Sequence, residues 1–298
     1  MADRKTETLH PSSAGLHLAP AAEVLSRLLD AQLAAIATIR PILPALMTAA
    51  DAAATALQSG GKMGYAGAGS SGLMALADCL ELWGTFGIAT DRTPMLFAGG
   101  SAALIKLTGA VEDDPALAVA DLAAAQIGAG DVVICVSASG TTPYTMAVAQ
   151  GAKAKGAQVI GLANAAGSAL LDLADFPVLL DTGPELVAGS TRMAAASAQK
   201  IAMNMLSVLV GIRLGHVHDG YMVNLVADNA KLVGRAVGIV AAVSGQDGQT
   251  ATAALHAASG AVKPAILIAL GASHAEAQTR LQASGGHLSA ALADGVAR

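Results

Sequence analysis

Apolar residues along this chain follow two rhythms. Short, nearly continuous runs stand at 63–66, 95–98, 132–136, 159–163 and 177–180. Between most of them, apolar positions recur at helical spacing, over 71–83, 115–125, 142–155 and 168–174. Continuous short runs suit strands buried on both faces, and strands alternating with helices predict a parallel sheet covered on both sides. The expected fold is therefore α/β, a doubly wound parallel five-stranded sheet with flanking helices. Two helices precede the first strand, over 21–39 and then, restarted by Pro41 and Pro44, as far as Gln58, where Ser59-Gly60-Gly61 ends the second. From Arg192 onward the strand rhythm stops. Helices are expected over 192–213 and 221–240, and residues 246–298 read as a small helical C-terminal region. The expected organisation is thus 1–245 for the sheet domain with its N-terminal helices and 246–298 for the appendage. The apolar run 265–270 fits either period, and helix is preferred there.

Composition narrows the class. Of 298 residues 54% are hydrophobic but only 2% aromatic, so Ala, Leu, Val and Ile must build the core. Charged residues are 13%, about half the usual share. So few charges cover a monomer's surface poorly, which points to an apolar subunit interface and an oligomer. The net charge is -5 and no basic run exists, which argues against nucleic acid as a partner. The apolar run 201–212 contains Asn204, lies between Lys200 and Arg213, and is too short to cross a bilayer, so no membrane is expected. The first residues, Met-Ala-Asp-Arg-Lys-Thr-Glu, lack the apolar core of a signal peptide. Cys79 and Cys135 sit in apolar surroundings and read as reduced core residues. The expected location is the cytoplasm.

Two loops carry the candidate chemistry: Gly67-Ala-Gly-Ser-Ser-Gly72 and Ser137-Ala-Ser-Gly-Thr-Thr-Pro143. Each lies between a strand-like run and a helix. In open α/β sheets, ligands bind at the carboxyl ends of strands. Hydroxyls beside the N–H groups of a helix start suit a phosphate, so Ser70, Ser71, Ser137, Ser139, Thr141 and Thr142 are candidate phosphate ligands. The first loop spells the Gly-x-Gly-x-x-Gly of dinucleotide sites, but no acidic residue ends the second strand; Asp91 precedes it. A small phosphorylated metabolite fits better than a nucleotide, although such clusters also serve as plain turns and helix caps. Glu81 and Glu112 are the only glutamates between the two loops. Glu81 falls about three turns along the helix after the first loop. A carboxylate pair beside a phosphate site can move protons; both also fit ordinary solvated positions. His216-Val-His218 lacks further ligands at useful spacing beyond Asp219, so no metal is expected. Trp83, the sole tryptophan, is expected to pack in a core. Arg192, in the first turn of the expected helix from 192, opposes the helix dipole, and Glu185 or a bound anion would compensate it.

Taken together, these segments resemble the bacterial N-acetylmuramic acid 6-phosphate etherases of the SIS (sugar isomerase) domain superfamily. The resemblance rests on Tyr65-Ala-Gly-Ala-Gly-Ser-Ser-Gly72, Ser137-Ala-Ser-Gly-Thr-Thr-Pro-Tyr144, Gly183-Pro-Glu-Leu-Val-Ala-Gly-Ser-Thr-Arg-Met193 and Ala198-Gln-Lys-Ile-Ala-Met-Asn-Met-Leu206, with Tyr221 to Leu232 and Gly285-Gly-His287. Order and spacing hold from about Thr6 onward. It implies a homodimer with the site near the interface, a phosphorylated amino sugar as substrate, and no cofactor. It implies cleavage of the D-lactyl ether to give N-acetylglucosamine 6-phosphate and D-lactate. By position, Glu81 and Glu112 match the family's two acid/base glutamates, and Ser71, Ser137, Ser139 and Thr142 its phosphate-binding hydroxyls. Glu81 would protonate lactate and activate water while Glu112 removes the carbon-2 proton, or the roles are reversed. The chain departs from the family pattern at Leu82-Trp-Gly84, at Ser101 and at Thr108. An aldose–ketose isomerase and a non-catalytic sugar-phosphate sensor are the alternatives that the same loops admit.

Overall fold

A computed structural model describes residues 5–296. Its Cα packing separates two compact units, one of residues 1–80 and 91–207 and one of residues 81–90 and 208–298. In chain order the first unit holds α1 (Ala21–Ala37), α2 (Leu43–Gln58), β1 (Met63–Gly67), the start of α3 (Gly69–Phe86), β2 (Met95–Phe97), α4 (Gly100–Ile105), α5 (Pro115–Ala124), β3 (Val132–Ser137), α6 (Pro143–Ala154), β4 (Gln158–Ala163), α7 (Ala169–Leu173), β5 (Phe176–Leu179) and most of α8 (Ala194–Arg213). The five strands pair in the order β2-β1-β3-β4-β5, every pair parallel. All five residues of β1 and all six of β3 are buried, as two-sided cover requires.

One face of the sheet packs on α5, α6 and α7. There Val133 and Cys135 join Leu122, Tyr144, Val148 and Leu170 in one apolar cluster. α2 lies against the sheet as well. Tyr65 of β1 donates to the buried carboxylate of Asp78 on α3 at 2.7 Å, and Asp78 also accepts from Asn204 and from Ser207 (3.0 Å) of α8. Three donors on one acceptor-only group compensate the cost of burying its charge. Burial and the adjoining Asp78 hold the Tyr65 hydroxyl far above its ordinary range. Burial likewise raises both cysteine thiols to about 12, so neither is a ready nucleophile.

α8 starts at Ala194, two residues later than the spacing suggests, and Arg192 stands exposed ahead of it. Glu185, only 1% exposed, accepts the N–H groups of Ala194 (3.0 Å) and Ala195 (2.9 Å). Its negative charge thus meets the positive end of the helix dipole and satisfies two N–H groups that lack intrahelical partners. A Glu185→Ala variant is expected to lose about 2–3 kcal/mol in urea unfolding, and Glu185→Gln, which keeps one acceptor oxygen, about half of that. At twenty residues α8 is long and apolar enough to span a membrane, a length that the run 201–212 alone did not reveal. Its Ala195, Ala198, Ala202, Met203 and Leu206 are nevertheless buried within the protein. The stretch Ala21–Gln58 is likewise long and apolar, but it is interrupted by a 3-10 turn at Arg40–Ile42, where Pro41 sits.

The second unit is built from α9 (Ala230–Ser244), α10 (Gly248–Ala257), α11 (Val262–Ala269), α12 (His274–Ala283) and α13 (Leu288–Val296) around a core that includes Ile239, Val240, Leu255, Ile266, Leu267 and Leu288. The apolar run 265–270 is helical as far as Ala269, with Leu270 as the C-cap of α11. The helix expected over 221–240 forms only from Ala230. Asp219 and Gly220, both at positive φ, turn the chain between two short antiparallel strands, β6 (Val217–His218) and β7 (Tyr221–Met222). Asn229 then caps α9 by accepting the Leu232 N–H at 3.0 Å, so the helix begins nine residues later than the pattern suggested. Trp83 is not a core residue: it is 41% exposed and lines a cavity of this unit. His218 bonds Ser289 (3.0 Å), and no cluster of three or more metal-ligating side chains occurs among the described residues.

Candidate active site

Both hydroxyl loops lie at the carboxyl ends of adjacent parallel strands, β1 and β3, in the middle of the sheet. The glycines of the first loop have separate reasons. A Cβ on Gly67 would fall 2.9 Å from the Gly72 Cα, and one on Gly72 would fall 2.8 Å from the Gly67 carbonyl and from the Phe97 ring. These two glycines therefore let the first turn of α3 lie directly against the end of β1. Gly69 has φ +52°, and its Cβ would sit 2.5 Å from Glu112 Oε1. The dinucleotide-like spelling thus reflects close packing and room for a carboxylate.

The second loop is organised from below. Ser137 is 2% exposed; its hydroxyl pairs with Thr142 Oγ1 at 2.8 Å and Ser139 Oγ at 3.3 Å and accepts the Gly140 N–H at 3.0 Å. Ser139 in turn accepts from the N–H and the hydroxyl of Thr141, both at 3.2 Å. Pro143 at the first position of α6 fixes the helix entry with a residue that has no N–H to satisfy. The Tyr144 N–H donates to the Glu112 carbonyl at 3.0 Å, tying the segment that carries Glu112 to the first turn of α6.

Two cavities of about 330 and 240 Å³ open over these loops. Thr6, Glu7, Glu112, Ser139 and Thr142 line both; Asp113 and Thr141 line the larger, and Ser70, Ser71 and Thr191 the smaller. The arrangement brings hydroxyls, two helix starts and carboxylates together around the same cavities. Glu112 is half-buried, and burial, with the charge of Asp113 second, raises its pKa above the ordinary glutamate value. A carboxylate so placed is a stronger base when ionised. Of the expected residues, Ser70, Ser71, Ser139, Thr141, Thr142 and Glu112 line the cavities, and Ser137 braces the loop beneath them. Glu81 lines neither cavity; it is exposed on α3, one residue after Leu80, itself 70% exposed. Thr6 and Glu7 were not among the expected site residues.

Residues 25–164 match the SIS domain family. The chain is 44% identical over 296 residues to the N-acetylmuramic acid 6-phosphate etherase of Deinococcus radiodurans, covering 99% of this chain and 97% of that protein. It is 40% identical to the etherase of that name from Streptomyces avermitilis, covering 97% and 93% of the two chains. A solved phosphoheptose isomerase from Francisella tularensis shares the fold at 20% identity, with a TM-score of 0.50 over 65% of this chain and 100% of that one. With near full-length identity of this order to proteins of one name, the chain belongs to the N-acetylmuramic acid 6-phosphate etherase family.

Proposed function

We infer that this protein cleaves the D-lactyl ether of N-acetylmuramic acid 6-phosphate, giving N-acetylglucosamine 6-phosphate and D-lactate. The observation that carries the reading is the half-buried, basic Glu112 in the same cavity as the hydroxyls of both loops. Anchored there by its phosphate, the open-chain sugar has an aldehyde that acidifies the carbon-2 proton. Glu112 removes that proton, the bond from carbon 3 to the ether oxygen breaks, and an acid protonates the departing lactate oxygen. Water then adds across the double bond, hydroxyl to carbon 3 and proton to carbon 2, so the sum is hydrolysis of the ether. No cofactor is required by these steps.

Glu81 is the proposed acid, which also activates the water. It lines neither cavity, so this role calls for a site completed in an assembly. A homodimer is the proposed assembly, supported by apolar side chains left exposed: Leu25, Leu29 and Leu33 at helical spacing on α1, and Leu80 beside Glu81. A phosphorylated substrate and two free buried cysteines fit the cytoplasm. The test is incubation of the purified protein with N-acetylmuramic acid 6-phosphate and enzymatic assay of D-lactate. Release in a one-to-one ratio with N-acetylglucosamine 6-phosphate is expected. Interconversion of aldose and ketose phosphates without lactate would replace the reading by an isomerase.

A further inference from the structure

Glu112 is not the only glutamate in the wall of the cavities, and the second one comes from the beginning of the chain. The Thr6 carbonyl accepts the Gly189 N–H at 3.1 Å, and the Ser13 hydroxyl donates to the Leu186 carbonyl at 2.7 Å. These two bonds hold the N-terminal segment against residues 186–190. Thr6 is 4% exposed, and Glu7, the next residue, is solvent-exposed and lines both cavities together with Glu112, Ser139 and Thr142. Glu7 Oε2 lies 3.1 Å from where a Cβ on Gly189 would stand, so the glycine leaves room for the carboxylate. The placement is a built one: two long-range hydrogen bonds and one glycine put this side chain where it is.

We propose that Glu7 is a substrate-positioning residue, which accepts hydrogen bonds from the hydroxyl and amide N–H groups of the sugar while the phosphate is held by the two loops. An ionised carboxylate only accepts, and an amino sugar phosphate offers hydroxyl and amide N–H donors along its sugar. Proton transfer falls instead to Glu112, which packs half-buried against Gly69, whereas Glu7 is solvent-exposed. The role rests on the etherase reading for the identity of the sugar, but not for the geometry.

The test compares wild type, Glu7→Ala and Glu7→Gln by calorimetric titration with N-acetylglucosamine 6-phosphate and, separately, with inorganic phosphate. Glu7→Ala is expected to weaken the sugar phosphate roughly ten- to a hundredfold, the worth of a charge-assisted hydrogen bond, and to leave inorganic phosphate within about twofold. Glu7→Gln, which keeps an acceptor oxygen, should fall between. In lactate release, KM should rise with kcat nearly unchanged and both limbs of the pH profile in place. Equal weakening of both ligands would mark a merely structural segment, and unchanged sugar affinity would remove Glu7 from the site; either overturns the proposal. Loss of a pH limb would make Glu7 a proton-transfer group and overturn it as well. Wild-type binding of the sugar phosphate without lactate release would sink the etherase reading and leave the Glu7 assignment standing.

Discussion

A Glu112→Gln variant is expected to lose lactate release roughly a hundred- to ten-thousandfold in kcat, the range over which a positioned general base acts. The amide keeps the shape of the side chain against Gly69 and removes its basicity. Folding should not suffer. Burial and Asp113 raise the Glu112 pKa in the folded protein, so the folded state holds the carboxyl proton more tightly than the unfolded chain. The stability this gives is complete below the unfolded pKa and is lost as pH rises through the folded value. At neutral pH the wild type therefore carries the cost of a partly desolvated charge that the amide does not, and Glu112→Gln should melt at the same temperature or higher. With Glu112 as the proposed base its ionised form is the active one, so the acid limb of kcat/KM should lie above the ordinary glutamate range and vanish in the variant. Exchange of carbon-2 hydrogen with solvent separates the two glutamates. Glu112→Gln should abolish it, whereas Glu81→Gln should stop lactate release and leave exchange in place. Exchange that survives Glu112→Gln and disappears with Glu81→Gln would reverse the two roles.

Much of the sheet was legible because its strands are short apolar runs between polar breaks, a pattern that buried parallel strands impose on a sequence. The hydroxyl loops were legible for the same reason: Ser139 and Thr142 follow the end of such a run directly. Three features were less so. Glu7 reaches the cavities through hydrogen bonds that Thr6 and Ser13 make to residues about 180 positions away, and nothing in its polar, irregular neighbourhood records them. The local charge pattern suggests Glu185 as a counter-charge for Arg192, yet it serves the backbone N–H groups of Ala194 and Ala195, because the helix starts two residues beyond the arginine. The region 221–229 has helical apolar spacing, but the Asp219-Gly220 turn and the Asn229 cap override periodicity with backbone geometry. What separates the legible from the illegible is range: local rhythm is written in neighbouring residues, and long-range hydrogen bonds are not.

Gly69→Ala should reduce kcat by about a hundredfold, although residue 69 carries no chemistry of its own. Two effects of the added methyl need to be separated. The backbone there has φ +52°, which costs an L-residue roughly 1–2 kcal/mol and lowers thermal stability. The methyl would also stand 2.5 Å from Glu112 Oε1, well inside contact distance. Because that oxygen is the far end of a flexible side chain, it gives way more cheaply than backbone would, and the carboxylate moves while the fold survives. A displacement of about 1 Å at a reacting group is enough to cost roughly a hundredfold in rate. Gly130→Ala supplies the control: its φ is +88°, but nothing lies within 4 Å of the new methyl. The control should show the loss of stability with kcat unchanged, and Gly69→Ala should show both losses, with inorganic phosphate still bound by the hydroxyl loops. Full activity in a folded Gly69→Ala variant would mean that Glu112 does not react from the position it holds against this glycine, and the first loop would then be a phosphate cradle alone.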